Sequence, residues 1–233
     1  MARGVGYNMG MMNATPKLSA PSKMPCKSWS LPAWETCPGA RGKGGQPVDA
    51  CRTCYALQGR YTFGAVEAVR KHNLEDWKSP DWVDAMVKHI GKSKLFRWFD
   101  SGDMYDAMLA IKIAQVVKAT PHCAHWIPTR AYKDAAILPV IQELLDPLPN
   151  VVVRFSSDSV HGETLDNVEH SSTIISDESE YVSGKGRVLC TAPKRKGKCG
   201  NCRACFDPRV KVVAYHKHGR AVNPKMFDRE MAD

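Results

Sequence analysis

Apolar and polar positions follow two periods along this chain, and the two periods alternate. Apolar residues at helical spacing predict helices over about 63–75, from the Ser79-Pro80-Asp81 cap through Ile90, over Asp106–Ala119 and over Asp134–Leu145. Short runs of β-branched and aromatic residues predict strands at Leu95–Phe99, Ala124–Ile127, Val151–Phe155, Ser172–Ile175 and Arg187–Leu189. Strands that alternate with helices indicate parallel pairing, so the pattern predicts an α/β fold.

The segments outside this alternation predict irregular structure. Residues 1 to about 25 have no apolar period, and Pro25–Gly64 is rich in proline and glycine, which predicts a long loop that carries cysteines. Loops of this length in compact domains are usually functional. We therefore expect a single α/β domain over residues 1–233, with an irregular segment at 1–25 and a cysteine cluster loop at 190–206.

Composition narrows the class of protein. The 233 residues are 43% hydrophobic and 24% charged, as in ordinary globular proteins. The chain has neither an apolar run of membrane-spanning length nor a signal peptide, which predicts a cytoplasmic protein without a membrane partner. Thiols stay reduced in the cytosol, so clustered cysteines are more often metal ligands than disulfides there.

The net charge of +9 permits a nucleic-acid partner but does not require one. The densest basic run, Lys194–Lys196 with Lys198, lies inside the second group of cysteines. Lysines at this place would also offset the negative charge of a thiolate-bound metal cluster. Aromatic residues are only 8% of the chain, which adds little to a nucleic-acid interpretation.

Seven of the nine cysteines fall into two groups. The C-terminal group consists of Cys190, Cys199, Cys202 and Cys205. Its C-x2-C-x2-C spacing is typical of a loop that wraps a [4Fe–4S] cluster. Structural zinc sites more often use two separated cysteine pairs, so this spacing favours iron–sulfur over zinc. We predict a complete four-thiolate ligand set.

The N-terminal group consists of Cys37, Cys51 and Cys54. Three thiolates would leave one iron of a cubane without a protein ligand, and a substrate or S-adenosylmethionine could bind there. Two alternatives stay open. Cys51 and Cys54 could merely complete another metal site, for which Cys26 could supply a fourth ligand, or cysteines from both ends of the chain could share a single cluster.

Polar residues follow the predicted strands, where parallel α/β folds place their ligand sites. Asp100, Ser101, Gly102 and Asp103 follow the first, Arg130 the second, and Ser156 and Asp158 the third. We expect these residues to converge on one cofactor site. An alternative for Asp103 is that it caps the next helix. Arg97 and Arg154 lie within strands, where each needs an anionic partner if buried, or else faces solvent at an edge.

Together these motifs resemble a phage-borne family known as gene product eighty-eight. The residues that support the resemblance are Lys23–Ser28, Leu31–Ala33, Cys37–Gly39, Cys51 with Cys54–Ala56, Arg97–Asp103 without Phe99, Pro128–Arg130, and Cys199, Gly200, Cys202, Arg203 and Cys205. The resemblance implies a bacteriophage iron–sulfur protein that acts in the cytoplasm of the infected cell.

A looser similarity is to radical S-adenosylmethionine enzymes, because a cysteine loop precedes the βα units and Ser-Gly-Asp follows a strand. That similarity implies a partial or distorted TIM-like (β/α) barrel, one or two [4Fe–4S] clusters, S-adenosylmethionine, and a reductant and substrate as partners. The spacing departs from the usual C-x3-C-x2-C between Cys37 and Cys51, and Thr53 replaces a frequent aromatic residue. Two rival functions remain: a non-catalytic redox or structural iron–sulfur protein, and a zinc-stabilised nucleic-acid binder.

Overall fold

Seven parallel strands form one sheet in the computed structural model, which describes residues 13–232. The strands are β1 (Lys27–Trp29), β2 (Leu95–Trp98), β3 (Ala124–Thr129), β4 (Val151–Ser156), β5 (Ser171–Ile175), β6 (Arg187–Leu189) and β7 (Val212–His216). Their order across the sheet is β1-β2-β3-β4-β5-β7-β6, and every neighbouring pair is parallel. Within the described residues β1 and β6 do not pair, so the sheet is open.

The helices confirm most of the predicted periodicity. They are α1 (Gly64–Asp76), α2 (Trp82–Ile90), α3 (Ala107–Ala119) and α4 (Leu138–Val140), which continues as a π-helical turn over Ile141–Leu145. The prediction of a helix from Asp134 is wrong at its start. The Asp134 carboxylate accepts hydrogen bonds from the backbone of Ala136 and Ile137, which closes a turn ahead of the helix.

Two strands, β1 and β7, lie where the sequence predicted none. β1 is only three residues long and begins with Lys27 and Ser28 in a segment full of turn residues. β7 lies beyond the last cysteine and inserts between β5 and β6. The remaining five strands coincide with the predicted ones to within two residues.

Side chains of successive strand residues point to opposite faces of the sheet. Phe96 and Trp98 of β2 join the main hydrophobic core with Trp82 and Met86 of α2. Between them, Arg97 lies on the other face, where its guanidinium stacks on Trp126 of β3. The helices therefore cover one face, and the opposite face is left to the cysteine-bearing segments.

The predicted long loop over 25–64 contains β1 and a series of short 3-10 turns, and residues 13–26 have no helix or strand. The part of the irregular N-terminal segment that precedes residue 13 lies outside the described residues. Among the helices of the described chain, none is long and apolar enough to cross a membrane.

Candidate functional site

A cavity of about 460 Å³ lies at the carboxyl ends of the strands, and both groups of cysteines line it. Cys37, Cys51 and Cys54 line one part, and Cys190, Cys199 and Cys205 line another. Its volume lies within the range of small-molecule binding sites. The sheet order thus brings cysteines from distant parts of the sequence to one place.

The N-terminal cysteine loop is fixed to three strand ends. The Leu31 amide donates to the Ser101 carbonyl (3.1 Å) after β2, and the Ala50 amide donates to the Asp158 carbonyl (2.8 Å) after β4. Gly39 packs so closely on Arg130 after β3 that a Cβ atom there would overlap the Arg130 carbonyl. These anchors hold Cys37, Cys51 and Cys54 over the sheet edge.

The thiols of this group influence one another, with Cys51 buried and Cys37 and Cys54 half-buried. Burial, with smaller effects from Asp103, Cys54 and Cys51, raises the pKa of Cys37 well above its usual range. Burial and the neighbouring Cys51 raise the pKa of Cys54 to about 11. Without a metal these thiols stay protonated at neutral pH, so binding a metal requires that their protons be released.

The C-terminal loop reaches the cavity from the opposite edge of the sheet. The Cys190 amide donates to Ala214 of β7 (2.8 Å), and the Cys199 amide donates to Lys23 (2.9 Å), which precedes β1. The loop thus bridges the N-terminal segment and β7. Cys205 lies on a short turn, Ala204–Phe206, that packs on β3 and β4.

The thiols of the C-terminal group differ in exposure. Burial raises the pKa of Cys205 to about 11, and its sulfur lies 3.2 Å from the Tyr215 hydroxyl. Burial also raises the pKa of Cys199, and Cys190 and Cys202 add to this effect. Cys202 is exposed and does not line the cavity. All nine cysteines are free thiols.

The positions of the cysteines can be compared with those required by a single zinc ion and by an iron–sulfur cluster. Within residues 13–232 no three His, Cys, Asp or Glu side chains are placed to hold a single metal ion. One tetrahedral zinc needs its ligand sulfurs within about 4 Å of one another. The four thiolates of a cubane bind four different irons and stand farther apart. Two groups of thiols, of which all but Cys202 line one cavity, have the donor chemistry of such clusters.

The predicted cofactor residues after β2 line the cavity and also hold the segment that follows β1 in place through hydrogen bonds and close packing. The Asp100 carboxylate pairs with the Ser30 hydroxyl and lies 3.4 Å from the Tyr61 hydroxyl. The Ser101 hydroxyl donates to the Leu31 carbonyl (2.5 Å). Gly102 has a φ of +73°, and a Cβ atom there would lie 2.7 Å from the Leu31 Cβ.

Asp103 links the ends of β2 and β3. Its carboxylate accepts hydrogen bonds from the Thr129 hydroxyl (2.7 Å), the Arg130 amide (2.7 Å) and the Met104 amide (2.8 Å). Burial raises the pKa of Asp103 to about 6 despite these bonds. The helix-cap alternative is wrong, because Asp106 caps α3 through the Leu109 amide (3.0 Å).

Arg130 and Ser156 line the cavity as well. The Arg130 guanidinium donates to the Ser157 carbonyl (2.6 Å) and lies 3.4 Å from the Asp158 carboxylate. Ser156 accepts a hydrogen bond from the Ser172 hydroxyl (3.3 Å). Asp158 does not line the cavity itself but pairs with Arg130, which does, and with Lys133.

Arg97 and Arg154 both point to the cavity side of the sheet, and the solvent-facing alternative is wrong for Arg154, which has no exposed surface. Its guanidinium donates only to backbone carbonyls, those of Ser171, Val210, Lys211 and Ala204. Neither arginine forms an ion pair within residues 13–232. The carbonyl of Ala204 places Arg154 beside Cys205.

Sequence reasoning did not assign a role to three cavity residues: Tyr55, Trp126 and Tyr215. Tyr55 directly follows Cys54, and its hydroxyl donates to the Asp100 carbonyl (2.9 Å). Trp126 could have been found from its place in β3, where it is the register partner of Arg97. Tyr215 belongs to β7, which the sequence pattern did not predict.

The comparisons with known proteins give a family but no function. The sequence model of the family described as Gene product 88 matches residues 6–208. No curated protein matches the chain. No solved structure matches it either. Since the match spans most of the chain and agrees with the motifs around its cysteines, this chain belongs to the gene product 88 family.

Proposed function

We propose that this chain is a bacteriophage iron–sulfur protein that binds [4Fe–4S] clusters through its two cysteine groups. The observation that supports the proposal is the common cavity. Cysteines that lie more than a hundred residues apart line it together, at the edge of the sheet where α/β proteins bind their ligands. The cavity is also large enough for cofactors.

Charge supports the same proposal. A buried guanidinium needs a compensating negative charge, yet Arg154 has only carbonyl partners in the described residues. A cubane with four thiolate ligands has a net negative charge. Cys205, beside Arg154, belongs to the predicted ligand set, so a cluster at this place would supply the missing charge.

The two groups would serve different purposes. Cys190, Cys199, Cys202 and Cys205 supply four thiolates, which fits electron transfer or a structural role. Cys37, Cys51 and Cys54 supply three thiolates on the cavity wall. A cluster held there would offer an electron and one free coordination position to a small molecule in the cavity.

The finer proposal is a radical S-adenosylmethionine-like enzyme on a partial TIM-like barrel. The order of elements supports it, since the N-terminal cysteines follow β1 and Ser101-Gly102-Asp103 follows β2. S-adenosylmethionine would occupy the cavity beside Cys37, Cys51 and Cys54. In this proposal Asp103 and Arg130 fix the β3 end of the site through their mutual hydrogen bond.

Iron analysis of cysteine variants tests the proposal. Each group is replaced separately by alanine, at 37, 51 and 54 or at 199, 202 and 205, in anaerobically reconstituted protein. The control is Cys123→Ala, because Cys123 is a buried thiol in the helix-side core. We expect about eight irons per control chain and about four in each triple variant. Equal iron content in all three proteins would refute the ligand assignment.

The enzymatic part needs a separate assay. We expect reduced protein to cleave S-adenosylmethionine to 5′-deoxyadenosine, and the variant without Cys37, Cys51 and Cys54 to form none. A protein that retains both clusters but forms no product under strong reductant would contradict the enzyme and favour the non-catalytic redox role.

A further inference from the structure

We propose that Arg97 and Trp126 form a subsite for an anionic group, a carboxylate or a phosphate, of a small molecule bound in the cavity. This inference deepens the proposed function, since it names the chemistry of the ligand that enters the site between the two cysteine groups. It depends on cavity-lining residues of the strands and not on the cysteines themselves.

The two side chains lie next to each other between the cysteine groups. Arg97 and Trp126 are register partners on β2 and β3, and the guanidinium carbon lies 4.7 Å from the indole ring. Tyr55, the neighbour of Cys54, contacts Arg97 from one side. Phe206, the neighbour of Cys205, packs against Trp126 from the other, with ring centroids 5.8 Å apart.

The donors of this pair are poorly satisfied. Arg97 donates to the Tyr55 hydroxyl at 3.3 Å and to the Phe99 carbonyl at 3.4 Å, and its remaining contact is the Met24 sulfur at 3.8 Å. Within residues 13–232 the Arg97 Nε has no hydrogen-bond partner, and neither has the Nε1 of Trp126, a residue that is only 5% exposed. Buried donors without partners are costly, so an acceptor in the cavity would be bound strongly.

The neighbouring acid, Asp100, acts on Arg97 only through its charge, which favours the charged guanidinium. The Asp100 carboxylate is taken by Ser30 and Tyr61, and it forms no ion pair with Arg97. Arg130, the other cavity arginine, has a short bond of 2.6 Å to Ser157 and an acidic partner. Of the two arginines that line the cavity in the described residues, Arg97 thus lacks the acidic partner that Arg130 has, although the Nε of each is without a hydrogen-bond partner there.

The surroundings indicate the class of ligand. Lys23 and Lys217 line the same cavity, and neither forms an ion pair within the described part of the chain. Ala33, Ala50, Pro128 and Ile174 add apolar wall. A guanidinium presents two parallel donors that match a carboxylate or a phosphate. The ligand is thus a small molecule with an anionic head and an apolar body.

Binding of three aromatic probes to the iron-loaded protein tests the subsite. The probes are benzoate, phenyl phosphate and benzamide, and titration calorimetry gives their dissociation constants. We expect at least one anion to bind about tenfold or more tightly than neutral benzamide. The tighter of the two anions identifies the head group as carboxylate or phosphate.

Variants assign the binding to the two residues. Arg97→Gln should weaken binding of the preferred anion about tenfold or more. Trp126→Phe, which keeps an aromatic ring but removes the indole N–H donor, should weaken it about threefold. Lys118→Gln is the control, because it removes one positive charge from the exposed side of α3 and should bind like wild type. Thermal unfolding of each variant confirms that it is folded.

Three results would overturn the subsite. One is equal anion binding by Arg97→Gln and Lys118→Gln, and a second is anion binding no tighter than that of benzamide. The third is anion binding by iron-free protein only, which would mean that a cluster is the anion that Arg97 meets. If wild type contains no iron yet binds anions through Arg97, the iron–sulfur proposal fails while the subsite stands.

Discussion

Replacing Gly102 by alanine tests how the sheet edge positions the N-terminal cysteines. Gly102 has a φ of +73°, and a Cβ atom there would lie 2.6 Å from the Thr36 hydroxyl, 2.7 Å from the Leu31 Cβ and 2.9 Å from the Leu31 carbonyl carbon. Thr36 directly precedes Cys37. The new methyl group must therefore push the chain that leads to the first cysteine.

Gly44 is a matched control, because its φ is +74° and a Cβ atom there would meet nothing within 4 Å. The left-handed backbone alone costs roughly 1 kcal/mol in both alanine variants. Overpacking at Gly102 adds about 1–3 kcal/mol. We therefore expect Gly102→Ala to lower the free energy of unfolding by about 2–4 kcal/mol and Gly44→Ala by about 1 kcal/mol.

Urea unfolding of the two iron-free variants measures this difference, and iron analysis after reconstitution measures its effect on the site. We expect Gly102→Ala to lose the iron held by the N-terminal group, while Gly44→Ala keeps it. If both variants unfold at the same urea concentration and bind the same amount of iron, then the close packing of Gly102 on Leu31 and Thr36 does not position Cys37.

Three further predictions concern buried groups. Burial lowers the pKa of His125 to about 3, so the unfolded chain takes up a proton at a higher pH than the folded chain does. The free energy of unfolding should therefore fall as the pH drops from 6.5 towards 3, by up to about 1.4 kcal/mol per pH unit. Urea midpoints across this pH range measure the slope, and His125→Asn should not show it. A slope that persists in this variant would contradict its assignment to His125. Arg154→Lys removes the guanidinium that donates to four backbone carbonyls and should lower the free energy of unfolding by about 2–4 kcal/mol. The control Lys118→Gln should change it by less than about 0.5 kcal/mol. Equal values for the two variants would show that these hydrogen bonds do not stabilise the fold. Tyr215→Phe removes the hydroxyl near the Cys205 sulfur. The reduction potential of the proposed C-terminal cluster should therefore become more negative in a redox titration, and an unchanged or higher potential would refute that contact.

Local patterns predicted most of the fold. β2, β3 and β4 are short apolar runs bounded by turn residues, and α3 has a helical period after Asp106, so neighbouring residues alone determine them. β1 and β7 were not predicted. β1 consists of three residues whose hydrogen bonds come from β2, and β7 takes its place only through pairing with β5 and β6. For β1 these distant pairing partners leave little local signal, whereas Val212, Val213 and Tyr215 of β7 are residue types that favour strands.

In the candidate site, too, some residues could be predicted from local patterns and others could not. The rule that ligand sites lie at the carboxyl ends of parallel strands correctly brought Asp100, Asp103, Arg130 and Ser156 to one cavity. It could not separate Asp158, whose carboxylate pairs with Lys133 and Arg130 outside the lining.

The meeting of the two cysteine groups depends on long-range contacts. The Cys199 amide donates to Lys23, and Cys190 pairs with Ala214 of β7. Neither contact has a sequence pattern. Spacing within each group led to the prediction of iron–sulfur ligands, but only the sheet order shows that Cys54 and Cys205 line the same cavity.

The most direct test of the account is the iron, sulfide and zinc content of anaerobically purified wild-type protein, with Mössbauer spectra before and after addition of S-adenosylmethionine. Two clusters, one of them with an open iron, predict about eight irons and eight sulfides per chain and a shift of one iron site on addition. Zinc without sulfide would contradict the iron–sulfur assignment. About four irons with no shift would contradict the second, open cluster.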